Sequence, residues 1–217
     1  FADSRLPSGL TQSRFPTHNG QVIPPFSLFW IGMLHDHACW RGDEGLVREL
    51  LPCVRSILET HLHLRQPDGL VATQPGWNFV DWVPGWKSGE PPGSWSGGSS
   101  ILMGQLVLAL NQAADLEEVA GDPVCARRWR GAAGALARAM RSAFYHAPTG
   151  MLADDGTFKS FSEHAQALGL LAGVLRGRAA RTARAALVRG DVLTPATIYF
   201  SHYVLEALAA GGEGDAM

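Results

Sequence analysis

An alternation between two kinds of helical segment constrains the fold more than any other feature of this chain. Segments of the first kind are apolar around most of the helical circumference, as helices enclosed by protein are. They cover residues 26–40, 100–120, 162–175 and 197–210. Segments of the second kind have one apolar stripe and a polar face, as surface helices do. They cover residues 46–62, 123–145 and 178–189. The sequence therefore predicts inner helices that alternate with outer helices.

Short recurring turns separate these segments. A glycine that can end one helix is followed by an aspartate that can cap the next. This pair occurs at residues 42–43, 121–122 and 190–191. A second turn, with proline and glycine two residues apart, closes the outer segments. It occurs at residues 6–10, 66–70 and 147–151. Repeated turns of this kind predict a series of helical hairpins.

Inner helices wrapped by outer ones are typical of an α/α toroid, which closes with six hairpins and twelve helices. The sequence contains four inner and three outer segments. We therefore expect an all-α fold in which residues 1–217 form part of an (α/α)6 toroid, truncated at both ends. The exposed inner helices would then be covered by further helices or by a second copy of the chain, as in a homo-oligomer. The alternative is a complete seven-helix bundle.

Tryptophans are concentrated in one irregular segment. Residues 74–95 are rich in glycine and proline and contain four of the seven tryptophans, Trp77, Trp82, Trp86 and Trp95. The same segment carries the polar residues Asn78, Asp81, Lys87 and Glu90. An indole face packs well against the C–H face of a sugar, whose hydroxyls need polar partners. The segment is either the wall of a carbohydrate site or a long loop fixed to the helices by its aromatics.

Composition and charge exclude several classes of function. The net charge is −2, and the arginines of the second half recur at helical spacing, which indicates a solvated helix face and no nucleic-acid partner. The apolar runs are too short to span a bilayer. Three cysteines without CxxC spacing indicate buried thiols in a reducing, cytoplasmic compartment. His35 and Cys39 have helical i, i+4 spacing but no third ligand nearby, so we expect no metal and no cofactor.

Several segments resemble the catalytic domain of bacterial α-L-rhamnosidases, glycoside hydrolase family 78. They are residues 1–16, 23–31, 41–43, 77–82, 160–168 and 193–200, in the family's order. The resemblance extends over nearly the whole chain. It implies an (α/α)6 toroid that hydrolyses terminal α-L-rhamnosides with inversion, in carbohydrate metabolism. Inversion uses two carboxyl groups about 6.5–9.5 Å apart. By resemblance, the general acid precedes the first segment and the general base follows the last, so no catalytic residue is assigned in this chain.

The candidate substrate-binding residues are Asp81, Trp82, Trp77, Asn78, His164, Glu163 and Trp30. By resemblance, Trp82 packs against rhamnose and the Asp81 carboxylate accepts a hydrogen bond from a hydroxyl. Trp77 and Asn78 would extend this wall. If buried beside aromatic residues, Asp81 would have a raised pKa, which suits a general acid.

The remaining candidates lie on inner helices. Glu163 and His164 begin an inner helix, where side chains tend to face the mouth of a toroid. Trp30 would face the cavity or belong to the core. An alternative for the whole chain is a non-catalytic helical module that binds a glycan or a protein partner through the tryptophan-rich loop.

Overall fold

The computed structural model describes residues 1–96 and 98–211. Seven α-helices occur in this part of the chain: α1 Pro24–Arg41, α2 Glu44–Leu62, α3 Ser100–Ala120, α4 Pro123–Phe144, α5 Glu163–Leu171, α6 Gly177–Arg189 and α7 Ser201–Ala209. Two short strands, β1 Tyr145–His146 and β2 Met151–Leu152, form an antiparallel hairpin after α4. The expected all-α fold and the order of inner and outer helices are therefore confirmed.

The main hydrophobic core receives buried side chains from the inner helices α1, α3, α5 and α7 and from the outer helices α2, α4 and α6. A smaller cluster lies beside α6 and α7. Helix α3 lies at the centre of the main core and packs against α1, α2, α4 and α5. The fully buried side chains include Ile31 of α1, Leu110 of α3 and Trp129 of α4. None of the helices in residues 1–96 and 98–211 combines the length and the apolarity that a membrane span requires.

Local signals account for most helix boundaries. The carboxylates of Asp43 and Asp122 accept hydrogen bonds from the backbone N–H groups of Leu46 and Cys125, each at 3.0 Å, as expected for N-caps. Asp191 is different, because no helix begins until Ser201. Its carboxylate lies 3.5 Å from the Arg189 guanidinium, so the expectation that Asp191 caps a helix is wrong.

Two inner helices are shorter than the sequence pattern predicts. Helix α5 ends at Leu171 because Gly173 adopts the left-handed conformation, with φ of +67°. Helix α7 begins at Ser201, although the pattern predicts a start at residue 197. The backbone N–H and hydroxyl of Thr197 bind a distant carboxylate, and residues 197–200 form a turn instead.

An ion pair between a buried carboxylate and a partly exposed guanidinium links three helices. The Glu117 side chain of α3 has no exposed surface, and its two carboxylate oxygens accept hydrogen bonds from Arg55 of α2 at 2.8 and 2.6 Å. Trp129 of α4 donates its indole N–H to the same carboxylate at 3.2 Å. Arg55 also lies 3.0 Å from Asp122. The hydrogen bond with Glu117 raises the pKa of the guanidinium, so Arg55 stays charged.

The same region brings together side chains of the kinds that bind metal ions. Donor atoms of Glu117, Asp122 and Cys125 lie within 4.8 Å of one another. Both carboxylates are already paired with Arg55, so a cation would have to displace the guanidinium. The arrangement is therefore an ion-pair network in the geometry that the structure shows.

The first prediction concerns this network. The substitution Arg55→Met leaves the buried Glu117 carboxylate without its cation, and we expect it to lower the free energy of unfolding by about 2–4 kcal/mol. The control is Arg48→Met, which removes an exposed pair with Glu44 and should cost less than about 1 kcal/mol. Urea denaturation followed by circular dichroism measures both. Equal losses would show that the buried pair does not hold α2, α3 and α4 together.

Candidate functional site

The tryptophan-rich segment between α2 and α3 folds back on itself. The backbone N–H groups of Val80 and Asp81 both donate to the carbonyl of Gly89, at 2.9 and 3.2 Å. Gly89 has φ of +73°, and a Cβ at this position would lie 2.5 Å from the Phe79 ring. Only glycine fits here, so the sequence fixes how the two arms of the loop approach each other.

Two side chains tie the arms together. The Trp77 indole donates its N–H to the carbonyl of Ser88 at 2.8 Å. A carboxylate oxygen of Glu90 accepts from the backbone N–H of Asn78 at 2.6 Å. The Asn78 amide donates to the carbonyl of Gln74 at 2.8 Å, so this candidate stabilises the base of the loop.

Asp81 connects the loop to two inner helices. Its side chain has no exposed surface. One carboxylate oxygen accepts hydrogen bonds from Nε2 of His164 and from the backbone N–H of Thr197, each at 2.8 Å. The other accepts from the Thr197 hydroxyl and, at 2.9 Å, from the backbone N–H of Trp82. The carboxylate therefore joins the loop to the first turn of α5 and to the segment that precedes α7.

These contacts set the charge of Asp81. Burial by itself raises the pKa of the carboxyl group, but the hydrogen bonds from His164 and Thr197 outweigh it and hold the pKa below 3.8. The expectation of a raised pKa is wrong, because it considered the aromatic neighbours and not the donors. At neutral pH, Asp81 is therefore an anion.

An aromatic wall lies on the part of the loop that Asp81 anchors. The Phe79 ring is buried, and its centroid lies 4.8 Å from that of Trp82 and 5.3 Å from that of Trp77. Phe26, at the start of α1, meets Phe79 edge-on at 6.0 Å, and Tyr199 approaches it to 6.2 Å. Trp82 nevertheless remains 63% exposed. The wall thus has a packed inner side and an indole facing solvent.

Beside this wall lies an open groove of about 630 Å³, a volume within the range of ligand pockets. We call it the indole groove. It is lined by Gly76, Trp77, Trp82, Lys87, Ser88, Glu90 and Trp95. Trp95 is 67% exposed. The fourth tryptophan of the loop, Trp86, lies outside the groove and packs against the His164 ring, with centroids 4.7 Å apart.

The other candidates lie behind the groove. Glu163 accepts a hydrogen bond from the backbone N–H of Ala196 at 2.8 Å, which holds the segment before α7. His164 is fully buried and binds Asp81. Trp30 is only 7% exposed and belongs to the core, although it also borders a small cavity beside Phe26. Of the seven candidates, only Trp77 and Trp82 line the groove.

A second cavity, of about 320 Å³, lies among the inner helices. It contains the carboxylates of Asp36 and Glu206 and the amides of Gln105 and Gln112. Sequence reasoning did not identify Glu206, Gln105 or Gln112 as candidates. A signal was available, because Gln105 and Gln112 are seven residues apart and share one face of α3, whose first eleven residues are otherwise almost all apolar.

The fold and the site can now be compared with known proteins. The model of the bacterial α-L-rhamnosidase six-hairpin glycosidase domain family matches residues 1–216. The chain belongs to this family. The resemblance seen in the sequence is therefore confirmed, and the chain is part of a six-hairpin glycosidase domain. The search of curated protein sequences found no match.

Solved rhamnosidases share the fold. The family 78 rhamnosidase of Bacillus sp. GL1 is 23% identical, with a TM-score of 0.83 over 94% of this chain and 21% of that chain. A Klebsiella oxytoca rhamnosidase with rhamnose bound is 22% identical, with a TM-score of 0.79 over 96% and 40%. The Streptomyces avermitilis α-L-rhamnosidase complexed with L-rhamnose is 18% identical, with a TM-score of 0.67 over 99% and 19%. This chain spans between one fifth and two fifths of their lengths.

A second buried carboxylate lies next to the supports of the site. Asp154 follows β2 and has no exposed surface. One of its oxygens accepts from the backbone N–H and the hydroxyl of Ser162, at 3.0 and 2.6 Å. Its other oxygen has no partner among the described residues. Burial raises the pKa of Asp154 above 3.8, opposite to the shift of Asp81.

The second prediction uses the opposite pKa shifts of Asp81 and Asp154. A carboxyl group with a lowered pKa contributes stability above its unfolded-state pKa and loses it as the pH falls through the folded-state value. Asp81→Asn should therefore lower the free energy of unfolding by about 1–3 kcal/mol at pH 7, with a gap to the parent protein that narrows below pH 3.8.

Asp154→Asn is the matched control. A raised pKa stabilises the folded state at low pH, and this contribution is lost as the pH rises above 3.8. Relative to the parent protein, the Asp154→Asn variant should gain stability from pH 4 to pH 7. Urea titrations between pH 3 and pH 7 measure both slopes. Slopes of the same sign would contradict the assigned charges.

Proposed function

We propose that the domain containing this chain hydrolyses terminal α-L-rhamnosides with inversion, and that the indole groove binds the terminal sugar. Membership of the rhamnosidase family supports the substrate class. The observation that carries the assignment of the groove is Trp82. It presents a 63% exposed indole beside an open cavity, although its neighbours Asp81 and Phe79 are buried. A large exposed aromatic on a rigid support is typical of a binding surface.

In this proposal the binding residues and the positioning residues are different sets. Trp82 and Trp77 pack against the C–H face of the sugar. Asp81 is a positioning residue, because its carboxylate accepts hydrogen bonds from the backbone N–H of Trp82 and from both donors of Thr197. The wall is thus ordered before the ligand arrives, which reduces the entropy lost on binding.

Three of the remaining candidates support this wall. His164 holds Asp81, Glu163 holds the segment before α7, and Asn78 closes the base of the loop. Trp30 belongs to the hydrophobic core.

Cleavage needs groups other than Asp81. An inverting mechanism requires one carboxylic acid to protonate the leaving group and one carboxylate to activate water. Asp81 is ionised, buried and bound to four protein donors, so it has neither a proton to give nor access to water. We propose that the acid and the base come from parts of the toroid outside residues 1–217. A protein that bound rhamnosides without cleaving them would instead be the glycan-binding module considered above.

The third prediction tests the indole groove in the full-length protein that carries this sequence. Trp82→Ala should lower kcat/KM for p-nitrophenyl α-L-rhamnoside about tenfold, mainly through KM, because a stacking surface worth about 1–1.5 kcal/mol is lost. The control is Trp40→Ala, at the opposite end of α1 and 86% exposed. An equal loss in both variants would show that the groove does not bind the terminal sugar.

The stereochemistry is tested separately. Proton NMR of the first product should show the β-anomer, and retention of the α-anomer would rule out inversion.

The fourth prediction concerns the chain by itself. Residues 1–217 should fold and show no hydrolysis of p-nitrophenyl α-L-rhamnoside, because the proposed acid and base are outside them. Release of p-nitrophenol is measured under conditions in which the full-length protein turns over. Turnover by the isolated chain, reduced by Trp82→Ala, would place a complete catalytic site within these residues.

A further inference from the structure

Lys87 stands out among the cationic residues of the chain. The sequence contains sixteen arginines and only two lysines, Lys87 and Lys159. Lys87 lines the indole groove, and its ammonium lies 5.0 Å from the centre of the Trp95 ring. None of the ion pairs among residues 1–96 and 98–211 includes it. A cation over an exposed indole, without a carboxylate partner, is available to an anionic ligand.

The backbone holds Lys87 at this place. Ser88, the next residue, has φ of +54°, a left-handed conformation that is costly for a residue other than glycine. It is maintained because the Ser88 carbonyl accepts the Trp77 indole N–H and the Gly89 carbonyl accepts two backbone N–H groups. Strain of this kind is found where a structure positions functional groups. The contacts that hold Trp77 therefore also fix the position of Lys87.

The groove is larger than one sugar requires. Its volume of about 630 Å³ suits a ligand of drug-like size, whereas Trp77 and Trp82 alone form one wall with centroids 6.2 Å apart. Trp95 belongs to a separate turn and offers a third indole. Glu90 is the other charged residue of the lining, but it is 4% exposed and binds the Asn78 backbone. The accessible charge of the groove is thus the positive charge of Lys87.

We infer that Lys87 and Trp95 form a second subsite, which binds the sugar to which the terminal rhamnose is attached and selects a uronic acid at that position. The uronate carboxylate pairs with the Lys87 ammonium, and the C–H face of its ring packs on Trp95. This inference rests on the proposed function, because it takes the Trp77 and Trp82 wall as the place of the rhamnose. A neutral sugar would fill the same space without using the cation.

The test compares two disaccharides that differ in one group, α-L-rhamnosyl-(1→4)-D-glucuronic acid and α-L-rhamnosyl-(1→4)-D-glucose. With the full-length protein, kcat/KM should favour the uronate by about two- to fivefold at low ionic strength, as expected for a solvent-exposed charge pair. The preference should weaken at high salt. Lys87→Gln should abolish the preference for the uronate, whereas Lys159→Gln should retain it. Trp95→Ala should weaken both disaccharides more than it weakens methyl α-L-rhamnoside.

The outcomes separate the two proposals. Binding of methyl α-L-rhamnoside with no preference for the uronate, or a preference that Lys87→Gln retains, would overturn the second subsite alone. Tighter binding of p-nitrophenyl α-L-rhamnoside than of the uronate, unaffected by Lys87→Gln, would overturn it in favour of aromatic aglycones. Failure of all these ligands to bind would overturn both the proposed function and the inference.

Discussion

The buried carboxylate of Asp81 is the interaction on which the site depends. Removing a charge from water costs several kcal/mol unless hydrogen bonds compensate it. Here they come from His164 and Thr197, which are 83 and 116 residues away along the chain, and from the neighbouring Trp82. The anion is therefore satisfied only when the loop, α5 and the segment before α7 are all in place. Formation of the aromatic wall is thereby coupled to the packing of the inner helices.

In the proposed site, this coupling gives the polar and the aromatic candidates different roles. A carboxylate that satisfies several protein donors in a dry environment has little capacity left for a ligand, but it positions its neighbours accurately. The indoles of Trp77 and Trp82 have the opposite properties. Their ring faces are accessible, and contacts with the loop and with Phe79 hold the rings in place. Sugar recognition in this proposal relies on surfaces that the protein leaves incompletely buried, and its accuracy comes from the buried charges beneath them.

The sequence predicts features that depend on local signals and misses those that depend on contacts between distant residues. Helix order and most boundaries were predictable because hydrophobic periodicity, glycine stops and the caps at Asp43 and Asp122 are local signals. The start of α7 was not, because Thr197 binds a carboxylate 116 residues earlier. Four tryptophans in one loop indicated where a candidate site lies, but the burial and lowered pKa of Asp81 depend on donors that no spacing reveals. The family resemblance suggested the substrate class, and the geometry shows that Asp81 is buried and bound by donors from the protein.

Exposed apolar side chains also bear on the architecture. Met33 on α1 is 58% exposed, Leu205 on α7 is 45% exposed, and Ile198 just before α7 is 95% exposed. These are the first and last inner helices of the series, whereas α3 between them is buried along most of its length. The cavity of about 320 Å³ among the inner helices is also lined by Asp36 and Glu206. Charged side chains are rarely buried without partners, so this cavity is unsuitable as a closed core. The exposed apolar side chains on and near these two helices support the proposal that further helices of the six-hairpin domain pack against α1 and α7.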